Sequence, residues 1–344
     1  MSNELRKVLK KPCNTISAVT GIDEYSKRID LLEHAVLLAE CAIGHYDLTD
    51  TATIGGVSRS QLSKLDNTRS YQVFVGIFYE LLLPFIREHN LHLYGRFLRI
   101  LGIDSTFIKT AIHESGKYRR SRTEEGIKMQ MPALLFPATI PVDALITPAN
   151  MHDSPLFDDI LEDLESLHGE EFLKSSILVF DLGYYDLGRF VVLKLRGIPF
   201  VTRIKSNAKY AVIKEYAHSK VVRFSNGLEL RLVSLIVDEE EREYLTDIFD
   251  LPDLYIHDIY TMRWSIETFF RRMKSLLRLD HLISRKINGI IVQIFAFLIA
   301  YLALMIIQTI VRMWSLAEIV RMLRHGVPML SSNIGHSFRD PGKV

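Results

Sequence analysis

At 344 residues, 48% of them hydrophobic and 24% charged, the chain can fold around a sizeable core, which excludes a disordered or low-complexity protein. Two cysteines, Cys13 and Cys41, are too few for a disulfide framework or a cysteine zinc site, and a reducing cytoplasm suits them. The net charge of +1 hides eight basic side chains against one acidic between Lys194 and Arg223, and eight acidic with no Lys or Arg between Asp153 and Glu171, so one face for a polyanion is expected.

Residues 1–28 are polar and expected to be poorly ordered; no apolar stretch of signal-peptide length follows the charged start. Residues 30–43 carry helical periodicity, with Asp30 as N-cap and Gly44 as stop. Ser58 to Gln61 has capping-box spacing and should open a short helix through Asp66. With Arg59, Gln61 and Lys64 on it, this helix fits either a DNA-reading helix-turn-helix or a plain helical subdomain. A further apolar helix, strained at Pro84, covers 71–89.

From Phe97 the pattern turns to strands. Phe97 to Asp104 is β-rich and expected to end at the carboxylate. After a basic loop at 117–122, strands are expected at 128–136 and 139–147, joined across Pro137. Asn150 or Asp153 should cap an acidic helix. Ser176 to Phe180 reads as a short buried strand with Asp181 at its end, and Asp186 to Arg196 as a helix stopped by Gly197. This order predicts a mixed α/β fold, a sheet flanked by helices. Between Ile198 and Asp258, Phe200 to Lys205, Val221 to Phe224 and Leu228 to Val237 form a basic, β-rich insertion.

Residues 260–274 are expected to be one helix on which Tyr260, Arg263, Glu267 and Lys274 share an arc of roughly 60°. Arg263 and Glu267 alone fit an ordinary i,i+4 surface ion pair. The apolar run 289–311 is long enough to cross a bilayer, but a buried helix backing the preceding one is the favoured reading. A polar tail closes the chain.

Asp104, Asp181 and Glu267 are the three acidic positions that a pair of neighbouring strands and a later helix could bring together, a donor set for Mg²⁺ or Mn²⁺. Two such ions can drive phosphodiester chemistry, with Arg263 and Lys274 on backbone phosphates. Asp143 and Asp153 are rivals as ligands, placed in a hairpin strand and at a helix cap; His152 reads as a structural or surface residue and Trp264 as a core anchor.

The triad, with Tyr260-x2-Arg263-x3-Glu267-x6-Lys274, Asp104-Ser-Thr and Asp181-Leu-Gly-Tyr, resembles the D-D-E triad and Y-R-E-K signature of insertion-sequence transposases of family four. The resemblance implies a ribonuclease-H-like core with a β-rich insertion. It divides the chain into a helical N-terminal region for DNA ends (1–95), core (96–198), insertion (199–257), core with the catalytic and buried helices (258–325) and polar tail (326–344). It further implies a cytoplasmic, nucleoid-associated enzyme holding two Mg²⁺ or Mn²⁺ ions on Asp104, Asp181 and Glu267. Such an enzyme acts as a homodimer, away from any membrane, on DNA terminal inverted repeats and target DNA. Nicking, hairpin formation, reopening and strand transfer would follow, with Tyr260, Arg263 and Lys274 holding phosphates near a flipped base. Relatives fill the vacated space with an aromatic residue of the insertion, for which Phe200 and Tyr210 are candidates here. The alternative is a domesticated or inactive DNA-binding protein of the same fold, without strand transfer.

Overall fold

The computed structural model describes residues 2–24, 29–88, 97–112, 118, 124–311 and 315–325. Trp314, most of the basic loop 117–122 and the tail 326–344 lie outside them. Five helices come first: α1 (Ser2–Thr20), α2 (Leu31–Gly44), α3 (Leu48–Ile54), α4 (Arg59–Thr68) and α5 (Tyr71–Glu88). Then come β1 (Arg99–Lys109), β2 (Gly126–Leu134), β3 (Ile140–Pro141), β4 (Leu145–Pro148), α6 (Leu156–His168), α7 (Glu170–Lys174), β5 (Ser176–Phe180) and α8 (Leu187–Arg196). Next come β6 (Phe200–Arg203), β7 (Tyr210–Glu215), β8 (Ser219–Phe224), β9 (Glu229–Val237) and β10 (Glu240–Thr246). Last are α9 (Asp253–Thr261), α10 (Trp264–Leu277), α11 (Ile287–Val311) and α12 (Leu316–Arg324). By internal contact the chain divides into two units, Met1–His89 with Ile108–Gly126 and Arg271–Val344, and Asn90–Phe107 with Ile127–Phe270.

The first unit is built around α11, which is apolar on every side and so needs neighbours on every side. It packs on α1, α2, α4, α5 and α12, with 89% of its most apolar stretch buried. By length and composition it could cross a membrane; here it is the core helix of a bundle. The sequence reading set it behind the 260–274 helix, but its main partners are these helices. Residues 2–20, expected to be poorly ordered, are helical: Leu5, Leu9 and Cys13 recur every four residues and are buried, a stripe that the charges around it obscure.

Asp30 caps α2 as expected, and Ser58 and Gln61 form the capping box that opens α4. The stop of α2 falls one residue late, at His45, which takes the left-handed conformation usually given to glycine. The inner face of α4 is tied down: Asp66 meets His34 Nε2 at 2.7 Å, and Asn288 Nδ2 donates to the carbonyls of Asp66 and Arg69. Arg59, Gln61 and Lys64 are exposed.

His34 is fully buried, and burial lowers its pKa against the opposing pull of Asp66. The unfolded chain therefore takes up a proton at His34 below about pH 6.5 that the folded chain refuses, and stability falls as pH drops. Between pH 7.5 and 5.5 the wild type should lose about 1 kcal/mol more in urea unfolding than His34→Gln. Equal losses would remove His34 from the account.

The second unit is a ten-stranded sheet in the order β3-β2-β1-β5-β6-β10-β9-β8-β7, with β4 also on β2. Its middle strands β1, β5 and β6 are parallel. Phe157, Phe180, Tyr184, Phe190 and Phe200 fill the core beside them, each under 2% exposed. Several boundaries differ from the sequence reading. β1 runs five residues past Asp104, because Thr106 and Ile108 keep an inward alternation with Ser105, Phe107 and Lys109. The strand expected at 139–147 is broken into β3 and β4, with Asp143 between them. α6 begins after Pro155 with no side-chain cap, because Asp153 turns to Lys128 and Gln130 instead. β7 and β10 were not expected.

Candidate active site

The parallel register of β1 and β5 pairs Ile103 with Phe180, so the next residue on each chain, Asp104 and Asp181, comes level across neighbouring strands. Both side chains are fixed by backbone donors: Ser105 N–H to Asp104 Oδ1 and Gly183 N–H to Asp181 Oδ1, each 2.8 Å. Asp181 thereby caps the short turn Leu182–Tyr184. A Cβ on Gly183 would stand 2.9 Å from Asp181 Oδ1, so the Asp-x-Gly spacing is a steric requirement as well as a turn signal.

Glu267 lies in the first turn of α10. That turn approaches β1 at Gly102, where an added Cβ would meet Ile266 Cδ1 at 2.5 Å. Arg263 then links the elements, with Nη1 2.9 Å from Asp104 Oδ2 and Nη2 3.0 Å from Glu267 Oε1. The i,i+4 ion pair therefore exists, but as half of a fork whose other half reaches 159 residues back along the chain. Arg263 is 8% exposed, and its buried Nε has no hydrogen-bond partner, an orphan worth about 1–3 kcal/mol.

Electrostatics follow from this crowding. Burial pushes the Asp104 carboxyl up to about 6, with Asp181 and Glu267 adding to the rise and Ser105 and Arg263 opposing it. For Arg263, burial disfavours the charge, but Tyr260, Asp104 and Glu267 outweigh it and its pKa rises. Burial likewise raises Tyr260 against the pull of Arg263.

Tyr260 and Arg263 do not share a helix: the chain breaks at Met262–Arg263, between α9 and α10. Tyr260 is 7% exposed, its ring 5.9 Å from the Arg263 guanidinium and 5.2 Å from Tyr244. Both line a cavity of about 240 Å³ with Arg203, Arg242 and Trp264. Trp264, expected in the core, is 59% exposed under the Arg263 guanidinium. Lys274 sits in the last turn of α10, where burial lowers its pKa.

Of the rivals, Asp143 accepts from Ala144 N–H, Asp153 pairs with Lys128, and His152 is exposed, the surface one of its two readings. Phe200, a candidate to fill the space left by a flipped base, is fully buried against Phe180 and Phe190, so only Tyr210 of that pair is exposed. Sequence reasoning missed Gln130, which accepts from the buried Tyr184 hydroxyl at 2.6 Å and donates to Asp153, tying β2 to the turn after Asp181. A lone glutamine in the apolar stretch from Lys128 to Phe136 was the available signal.

The family described as transposase DDE domain matches residues 95–303. The chain belongs to that family. It is 33% identical over 147 residues to a Synechocystis protein named as a transposase for insertion sequence element IS4SA, covering 39% of this chain and 42% of that one. A Geobacillus stearothermophilus protein named as a transposase for insertion sequence element IS5377 is 24% identical over 183 residues, 48% of this chain and 45% of that one. The matches thus span less than half the length of these curated relatives. Among solved structures, the piggyBac transposase in a synaptic complex with hairpin DNA aligns over 99% of this chain and 80% of its own, with TM-score 0.51 and 13% identity. That likeness shows the fold, a ribonuclease-H-like core.

Proposed function

We propose that the chain is a DNA transposase that cuts and joins the ends of an insertion sequence by metal-dependent phosphoryl transfer. The observation that carries this is the parallel register that levels Asp104 with Asp181, with Glu267 joined to Asp104 through one guanidinium. Mg²⁺ or Mn²⁺ fits the donor set: three carboxylates supply hard oxygen ligands, and Arg263 occupies the position of a cation between two of them. Bound there, such ions supply Lewis acidity and an activated water or 3′-hydroxyl.

The chain's own groups set up the reaction. Ser105 and Gly183 N–H groups hold the aspartates in fixed rotamers, so little reorganisation is needed when substrate arrives. Arg263, Arg203 and Arg242 present cations to phosphates in the cavity, and the exposed face of Trp264 is a flat surface on which an unstacked base can rest. Tyr260 steadies Arg263; a phosphate contact for Lys274 is what the resemblance implies. Hydrolytic nicking, hairpin formation, reopening and strand transfer, carried out by a homodimer on paired ends, are the order of steps that the resemblance implies. Purified protein with Mg²⁺ or Mn²⁺ should nick DNA carrying the element's own terminal inverted repeats and lose that activity in a chelator. A folded protein that binds those ends and never cuts them would refute the reading.

A further inference from the structure

We infer that Arg263 is an internal counter-ion of the carboxylate site that gives way to a divalent metal ion and then serves a DNA phosphate, so that metal and DNA bind cooperatively. The inference rests on the metal site proposed above.

Three observations carry it. The guanidinium takes one oxygen of Asp104 and one of Glu267, at 2.9 and 3.0 Å, so it stands between two of the three proposed ligands and holds oxygens that a metal would use. Second, the grip is incomplete: the buried Nε is left without a partner, so the fork is not a fully satisfied structural clamp. Third, Arg263 stands in the two-residue break between α9 and α10, where its side chain can be re-aimed without turning the helix that carries Glu267.

A second seat adjoins the first. The guanidinium lies 5.9 Å from the Tyr260 ring and 5.6 Å from the Trp264 ring, and all three residues line the cavity that also holds Arg203 and Arg242. Turned toward that cavity, Arg263 adds a planar two-pronged donor suited to phosphate oxygens. Charge balance ties the two events. Without a metal, departure of Arg263 strips the partly buried Asp104 and Glu267 of their cation; without a phosphate, the departing guanidinium enters a cavity where Arg203 and Arg242 already stand and must share Glu240, which lies 3.6 Å from Arg242. Each ligand removes the penalty on the other, and the coupling must be reciprocal.

The test is Mn²⁺ binding followed by electron paramagnetic resonance on the full-length protein, with and without a short DNA duplex bearing the element's end. Asp104→Asn with the same duplex supplies the background from metal on DNA alone. Wild-type protein should bind Mn²⁺ at least roughly five-fold more tightly with DNA than without it. Arg263→Gln should bind Mn²⁺ more tightly than wild type in the absence of DNA and gain little when DNA is added. Equal wild-type affinity with and without DNA overturns the inference whether or not the variant folds. So does Arg263→Gln binding that is no tighter than wild type. If Asp104→Asn binds Mn²⁺ as well as wild type, the metal site itself is misassigned, which separates failure of the proposed function from failure of the exchange.

Discussion

Glu267→Gln is expected to leave DNA binding near wild type while lowering strand cleavage by about three orders of magnitude, the scale on which loss of a group acting at the reacting centre is felt. Glutamine keeps the length and helix propensity of glutamate, so the first turn of α10 should survive. What is lost is one negative charge and one hard ligand. Arg263 would retain its contact with Asp104. Mobility-shift and nicking assays on the same end-bearing DNA separate the two properties. Cleavage by the variant at the wild-type rate would remove Glu267 from the triad.

The second large effect is expected at a residue with no functional group. Gly102→Val should destabilise the protein by about 1–3 kcal/mol and reduce cleavage roughly a hundred-fold. A Cβ at this position would stand 2.5 Å from Ile266 Cδ1 and 2.9 Å from Leu135 Cδ2. Ile266 precedes Glu267, so relief of the clash lifts the first turn of α10 from β1 and draws the carboxylate away from Asp104. Gly102→Ala should be milder, since the opposing atoms are ends of side chains that can rotate. Urea unfolding gives the first number and nicking the second. A Gly102→Val protein with unchanged cleavage would show that the close approach does not position Glu267.

What the sequence made legible depended on how local each signal was. Ser176 to Phe180 is a short apolar stretch that stops at Asp-Leu-Gly, and the strand and its terminal Asp181 are where that pattern puts them. Asp104 was placed on the right strand but at a false end, because a carboxylate reads as a terminator while the alternation beyond it continues. The break at Met262–Arg263 could not be foreseen: the helical period runs through it without glycine or proline. Arg263 and Glu267 are four apart and announce a pair, whereas the bond from Arg263 to Asp104 exists only once β1 and α10 have packed. β10 begins with a run of glutamates that resembles a turn, yet it lies between β6 and β9 with those charges at its exposed start. Tertiary pairing there overrode weak strand propensity.

The order of strands has a further consequence. From β5 the sheet passes through β6, β10 and β9 before reaching the basic hairpin of β8 and β7, four strand spacings or roughly 19 Å away. Lys209, Lys214 and Arg223 on that hairpin are exposed, and its outer strand has every side chain in solvent. Mutations that remodel this margin leave the β1/β5 register and the seat of α10 untouched. Over evolutionary time the protein can therefore try new surfaces on one end of its sheet while the carboxylate arrangement at the middle is inherited unchanged.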